Sequence, residues 1–276
     1  MHLEFILQDK RRKGMGKRIW GSALVASTAA IGLAAAPAWA DWSDTFNGGL
    51  DQDWTFVGVG EGPVPLPASA GSTGGSTGLF SYSTAGDYLT LADADDSLGN
   101  GPVFIVGFVN ESFTDVLVSG TVNMQTASND NILGLVARLD PAAFNGYTLF
   151  IDKDGGDLEL DKVTGGVGDG MDSADIFSFS DTGTYYLELH VTGSSTVSVV
   201  GNLWDSAAKN TLLASVGGTD AASPFLSGLS GIAGVAATND PIATTFDNIA
   251  SVPEPATLTL LASGGLLMVR RRRGKA

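Results

Sequence analysis

Apolar and polar residues alternate along much of this chain. Tyr185, Leu187, Leu189 and Val191 interleave with Tyr186, Glu188, His190 and Thr192. Successive side chains of a strand point to opposite faces, so this spacing predicts a half-buried strand with one face in water. Residues 196–204 pair with it across Thr192-Gly193-Ser194-Ser195. Similar runs predict strands over 88–91, 103–109, 116–124 and 132–139, and over 231–237 and 244–249 towards the end. The clearest hairpin joins 147–152 to 158–163 through Lys153-Asp154-Gly155-Gly156-Asp157, whose glycines supply the positive φ of a tight turn. Residues 58–86 pass through Gly, Pro, Ser and Thr with few apolar anchors, which predicts a long exposed loop. Long helical periodicity is missing, and the pattern is that of an all-β chain.

Two apolar runs do not alternate, and both sit at chain ends. Lys10, Arg11, Arg12, Lys13, Lys17 and Arg18 precede an apolar stretch over 19–36, and Ala38-Trp39-Ala40 follows with the small-x-small pattern that signal peptidase cuts. Residues 1–40 therefore read as a signal peptide, helical in its apolar part, with Met1 or Met15 as the start and Asp41 as the first mature residue. The second run, 256–269, is 14 residues long. As a helix it rises roughly 21 Å, short of the ~30 Å hydrocarbon core, so it spans a membrane only with local thinning and snorkelling of flanking arginines. Arg270, Arg271, Arg272 and Arg273 follow it and fix its orientation, since basic residues stay on the cytoplasmic side. Val252-Pro253-Glu254-Pro255 stands just before it. This terminus, 252–276, resembles the PEP-CTERM sorting signal of Gram-negative exported proteins. The resemblance implies an exosortase partner that cuts near Pro253-Glu254-Pro255, a transient anchor in the inner membrane, and a final place at the cell surface or outside it.

Setting both ends aside changes the charge picture. Between 41 and 251 there are 27 acidic residues against Arg138, Lys153, Lys162 and Lys209, a formal charge of −23. Such a body repels nucleic acid and anionic lipid, and nucleic acid is not expected as a partner. Without cysteine, neither a disulfide nor a thiolate metal site forms. The 211 residues suit one sizeable β domain.

Several landmarks in this body have a familiar order. Asp44-Thr45-Phe46 with Trp54 shortly after, Gly134-Leu135-Val136-Ala137-Arg138 leading to Gly146-Tyr147-Thr148-Leu149-Phe150, and a closing Gly231-Ile232-Ala233-Gly234 strand before Phe246-Asp247-Asn248-Ile249 resemble the concanavalin A-like lectin/glucanase superfamily, laminin G-like branch. That resemblance implies an antiparallel two-sheet jelly-roll sandwich over 41–251, whose face or loop rim often binds carbohydrate. It also implies a calcium tying the N-terminal segment to the last strand through Asp44 and Asp247, although no cofactor is required by the residues themselves.

Candidate chemistry is sparse. Asp157, Glu159 and Asp161 alternate along one strand and so share a face, with roughly 6 to 7 Å between neighbours, a separation that glycosidases use for acid and nucleophile. They resemble the Glu-x-Asp-x-Glu strand of laminarinase-type hydrolases, except that both outer residues are Asp. The plain reading is a solvated strand face whose leucines point inward. A Ser-His-Asp triad has only His190 to use once the signal is removed, and no Gly-x-Ser-x-Gly elbow occurs. Sugar binding would use rings and planar polar groups at exposed positions, for which Arg138, Tyr147, His190 and Trp204 are the candidates, with Trp42 and Trp54 as core anchors. The preferred reading is a non-catalytic surface protein that binds polysaccharide. The alternatives are a glycan hydrolase or lyase and a purely structural protein.

Overall fold

Pairing between strands satisfies the alternation. The structure, a computed structural model, describes residues 42–59, 63–76, 80–84, 88–93, 103–124, 132–152, 155–176, 180, 182–236 and 244–253. The expected signal helix and transmembrane helix lie outside these residues. In chain order the strands are β1 (Trp42–Asp44), β2 (Trp54–Val59), β3 (Pro63–Ala68), β4 (Gly74–Ser76), β5 (Phe80–Ser83), β6 (Leu89–Asp93), β7 (Val103–Phe113), β8 (Val116–Met124) and β9 (Ile132–Asp140). They continue as β10 (Asn145–Asp152), β11 (Asp157–Thr164), β12 (Val167–Asp175), β13 (Thr184–Thr192), β14 (Val197–Trp204), β15 (Leu212–Asp220), β16 (Gly228–Ala236) and β17 (Thr244–Pro253). One sheet runs β15-β14-β13-β8-β17-β6-β5-β4, with β1 also on β17, and the other runs β12-β11-β10-β9-β16-β7-β2-β3. Every pairing is antiparallel, and the two sheets form a jelly-roll sandwich.

The inward leucines and valines of both sheets form the core. Leu133, Leu135, Leu149, Leu158, Leu160, Leu187 and Leu189 are fully buried, each contributing roughly 1.5–3 kcal/mol relative to exposure. Trp54 anchors an aromatic row in which it stacks on Phe56 at 5.8 Å, Phe56 stacks on Tyr82 at 4.6 Å, and Trp42 meets Trp54 edge-on at 5.4 Å. Both tryptophans are core anchors, as their sequence context suggests.

Where the sequence predicts a loop over 58–86, the chain instead makes the end of β2 and then β3, β4 and β5. Pro63, Pro65 and Pro67 are compatible with a strand here because β3 is the edge of its sheet, where a missing N–H on the outer side costs no ladder bond. At the other end, β17 runs on through Val252 and Pro253, opposite Leu117 and Val116, two residues beyond the boundary expected at Ser251.

Arg138 is not the exposed residue that strand parity suggests. It has φ 51° and is 1% exposed. The registers of β9 with β10 and with β16 both slip around it, so it sits in a bulge that turns its side chain inward. There the guanidinium binds four places at one end of the sandwich. Nε donates to Thr114 O at 2.5 Å, Nη1 to Phe225 O at 2.6 Å, and Nη2 to Gly193 O at 2.9 Å and Asp115 Oδ1 at 3.2 Å. Gly193, at φ 107°, belongs in this turn because a Cβ there would meet Thr196 O at 2.2 Å. Lysine cannot reproduce the planar fork. Arg138→Lys is expected to leave buried carbonyls without donors, costing about 3 kcal/mol and lowering Tm by about 6–12 °C for a body of this size, as calorimetry would read.

Candidate functional site

Strand β11 presents the carboxylates as a strip. Leu158 and Leu160 point into the core, which turns Asp157, Glu159 and Asp161 together to the other face. Register sets their neighbours: Asp152 and Asp175 stand opposite Asp157, Phe150 and Ser173 opposite Glu159, Thr148 and Gly170 opposite Asp161. The register shifts opposite Leu160 and Asp161, leaving Met171 of β12 unpaired, and a groove of about 310 Å³ lies there, lined by Glu159, Asp161, Gly170, Met171, Asp172 and Ser173. Lys162, the nearest base in sequence, is turned away: its Nζ lies 2.7 Å from Asp220 Oδ2 and donates to Ser223 O at 2.9 Å.

Electrostatics in the strip run one way. Burial, next to the largely covered Phe150, and then the charges of Asp161, Asp152 and Asp157 push Glu159 up to about 7. Burial and then Asp169 raise Asp161. Burial, a hydrogen bond with Asp175 and the charges of Asp175 and Asp152 raise Asp157. A glycosidase pair needs one carboxylic acid and one carboxylate, held apart by different environments. The strip supplies the acid in Glu159, while both neighbouring carboxyls are also pushed towards the protonated form.

The outward face of β13 and β14 carries a different arrangement. Tyr186 stands opposite Trp204, Glu188 opposite Asn202 and His190 opposite Val200. Trp204 Nε1 donates to Glu188 Oε2 at 2.8 Å, and Lys209 Nζ donates to Glu188 Oε1 while lying 5.3 Å from the centre of the Tyr186 ring. The sequence places Glu188 on a wet face, yet it is 5% exposed, because Trp204 and Lys209 fold over it and satisfy the charge they cover. Trp204, Tyr186 and His190 remain half-buried. Lys209 is one of only four basic residues between 41 and 251, a scarcity that could have marked it in the sequence.

The four residues expected to meet a sugar do not meet each other. His190 and Trp204 share the β13–β14 face, whereas Arg138 holds the turns described above and Tyr147 is fully buried. Tyr147 shares its face with Leu149 and Ile151; its hydroxyl donates to Asp220 Oδ2 at 2.9 Å, accepts from Phe225 N at 3.1 Å, and is pushed up to about 12, chiefly by burial. The expected exposure of Arg138 and Tyr147 is thus corrected, because a bulge and a core-facing register remove both from water.

Asp44 also has another task. Oδ1 accepts from Phe46 N at 2.9 Å, and Oδ2 accepts from Trp54 Nε1 at 2.8 Å, Asp51 N at 2.9 Å and Gln52 N at 3.4 Å. These bonds hold the turn between β1 and β2. Asp247 accepts from Asn248 N and Nδ2 at 2.7 and 2.6 Å. The N-terminal segment is tied to the last strand by the β1–β17 ladder, in which Asp44 pairs with Ile249. Among the described residues no group of three potential metal ligands converges. Ala38, Ala40, Glu254, Pro255 and Arg270 to Arg273 lie outside the described residues, as does the acidic Asp93-Ala94-Asp95-Asp96 stretch beyond Asp93.

The end of β17 leads into a segment that a family model recognises. Residues 251–273 match the PEP-CTERM protein-sorting motif. The chain is a protein exported towards the cell surface through a PEP-CTERM system. No curated protein matches it in sequence. Among solved structures it is similar to a GH43 protein, BlXynB, from Bacillus licheniformis, at 15% identity and TM-score 0.50, over 77% of this chain and 39% of that one, so it spans about two-fifths of that protein. It is also similar to a protein of galectin-like fold from Bacillus subtilis, at 13% identity and TM-score 0.49, over 78% and 97% of the two chains. A third likeness is to the carbohydrate binding module CBM66 from Bacillus subtilis, at 18% identity and TM-score 0.43, over 59% and 86%. At these identities the likeness is one of fold.

A raised carboxyl pKa makes the folded state worth less as pH rises. Glu159 is protonated in the folded chain up to about pH 7 but ionises near 4.5 when unfolded, so its contribution is intact at acid pH and falls as pH rises through 7. Glu159→Gln is therefore expected to raise Tm by a few degrees at pH 8 and to change it little at pH 4, since the half-exposed strip screens the shift to about 1 kcal/mol. Paired melts at the two pH values check this, and an equal shift at both would contradict it.

Proposed function

We propose that this protein is a non-catalytic polysaccharide-binding sandwich of a Gram-negative cell surface. In this reading residues 1–40 are removed by signal peptidase after Ala40, 256–269 anchor the chain transiently in the inner membrane, and an exosortase then releases or transfers the body. The observation that carries the binding is the Tyr186–Trp204 pair, held in place by Glu188 and Lys209. Sugar rings present apolar C–H faces edged by hydroxyls, so an aromatic pair with fixed polar neighbours suits them. Asn202 and His190 on adjacent rows of the same face supply further polar edges. The charge of −23 between 41 and 251 selects neutral or amino-sugar glycans over uronic acid polymers, which it repels.

A second reading, glycan hydrolysis at Asp157, Glu159 and Asp161, has one observation in its favour: Glu159 holds a proton near neutral pH beside a groove.

A glycan array probed with the folded body, with calcium present and after chelation, tests the first reading. Selective retention of neutral or amino-sugar glycans, weakened about tenfold in Trp204→Ala, a loss of roughly 1.4 kcal/mol, is the expected result. Retention of acidic polymers, or equal retention by the variant, would sink this face as the site. Turnover of any retained glycan that disappears in Glu159→Gln would favour the hydrolase, and dependence on added calcium would revive a cation-linked site.

A further inference from the structure

The sorting motif and the fold overlap. The motif begins at Ser251, yet Ser251, Val252 and Pro253 are strand residues of β17. Ser251 is fully buried and paired on both sides, with Trp42 of β1 and Val118 of β8; Val252 then faces Leu117 and Pro253 faces Val116. A peptidase must take its substrate backbone into its own cleft, reach the carbonyl carbon with a nucleophile and let the amine leave. A bond held in a sheet ladder offers neither approach. Pro253, without an N–H, is where this ladder can end.

We propose that the processing cut falls on the C-terminal side of Pro253, so that the mature body keeps the whole of β17. This rests on reading the terminus as a processed sorting signal. In the step itself the peptide C–N bond breaks, and the acyl carbon forms its new bond to an attacking water or amine acceptor. The departing tail takes the proton as its new amino terminus. The motif's first three residues thus belong to the product as structure.

Fold and reach also select the end of the sandwich that meets the enzyme. Only Glu254 and Pro255 separate the strand from the apolar run that starts at Ala256, and two residues with their flanking bonds span at most about 10 Å. The end of the body beside Pro253 includes Val116 and the β7–β8 turn, and Arg138 ties that turn to the β13–β14 turn and to Phe225. A rigid end is therefore presented to the processing enzyme, with no long linker between them.

The test is to express the full chain in a host with an active PEP-CTERM system, purify the body released outside the cell, and determine its C-terminal residue by intact mass and C-terminal peptide sequencing. A terminus at Pro253, Glu254 or Pro255, with or without the mass of an acceptor, is the expected result. A terminus at Val252 or earlier would overturn the inference while leaving the sorting reading intact. A secreted body that retains residues 256–276 would overturn the sorting reading, and this inference with it.

Discussion

The sandwich depends on β17. This strand lies inside the nine-stranded sheet, pairing with β8 along most of its length, with β6 at its start and with β1 near its end. Its partners come from residues 42–44, 89–91 and 116–124, so the sheet closes only when the last part of the body has arrived. Such non-local pairing carries a large loop-closure cost before its contacts are made. The first and last strands of the body thus lock each other, and Asp44 secures the entry by accepting four N–H groups from the turn that leads to Trp54.

Scarcity of positive charge governs the rest. Of the four basic residues between 41 and 251, the three among the described residues each serve a buried or half-buried acceptor: Arg138 at the turns, Lys162 at Asp220, Lys209 at Glu188. The strip on β11 lies beyond their reach, and its carboxyls rise in pKa because neighbouring acids and burial act in the same direction. Where a lysine does arrive, at Glu188, the result is a neutral, ordered cluster with two aromatic rings. The two faces therefore differ chemically although both are made by ordinary strand alternation.

The strands that carry alternation were legible, and 116–124 has the same limits as β8. The strands that were not legible include all four sheet edges, β3, β4, β12 and β15. An edge strand is wet on more sides and has no need of a buried row on each pleat, so Val167–Asp175 shows no apolar alternation while forming nine residues of strand. Arg138 was misplaced for a related reason, since a bulge changes which face a residue takes and parity counted along a strand does not carry across it, whereas Tyr147 keeps the parity of Leu149 and Ile151 and faces the core with them.

Sequence alone determined the all-β class, the acidity of the exported part, the shared face of Asp157, Glu159 and Asp161, and the sorting terminus, because each depends on local order along the chain. Tertiary structure decided what those residues meet. It brought Trp204 and Lys209 over Glu188, kept Lys162 from the carboxylate strip, and gave Asp44 to N–H donors. It also drew Ser251 to Pro253 into the central strand, because β8 and β1 supply the partners that this extended segment would otherwise lack. Contacts between residues far apart in sequence are set by register and by bulges, and neither is written in the spacing of any one segment.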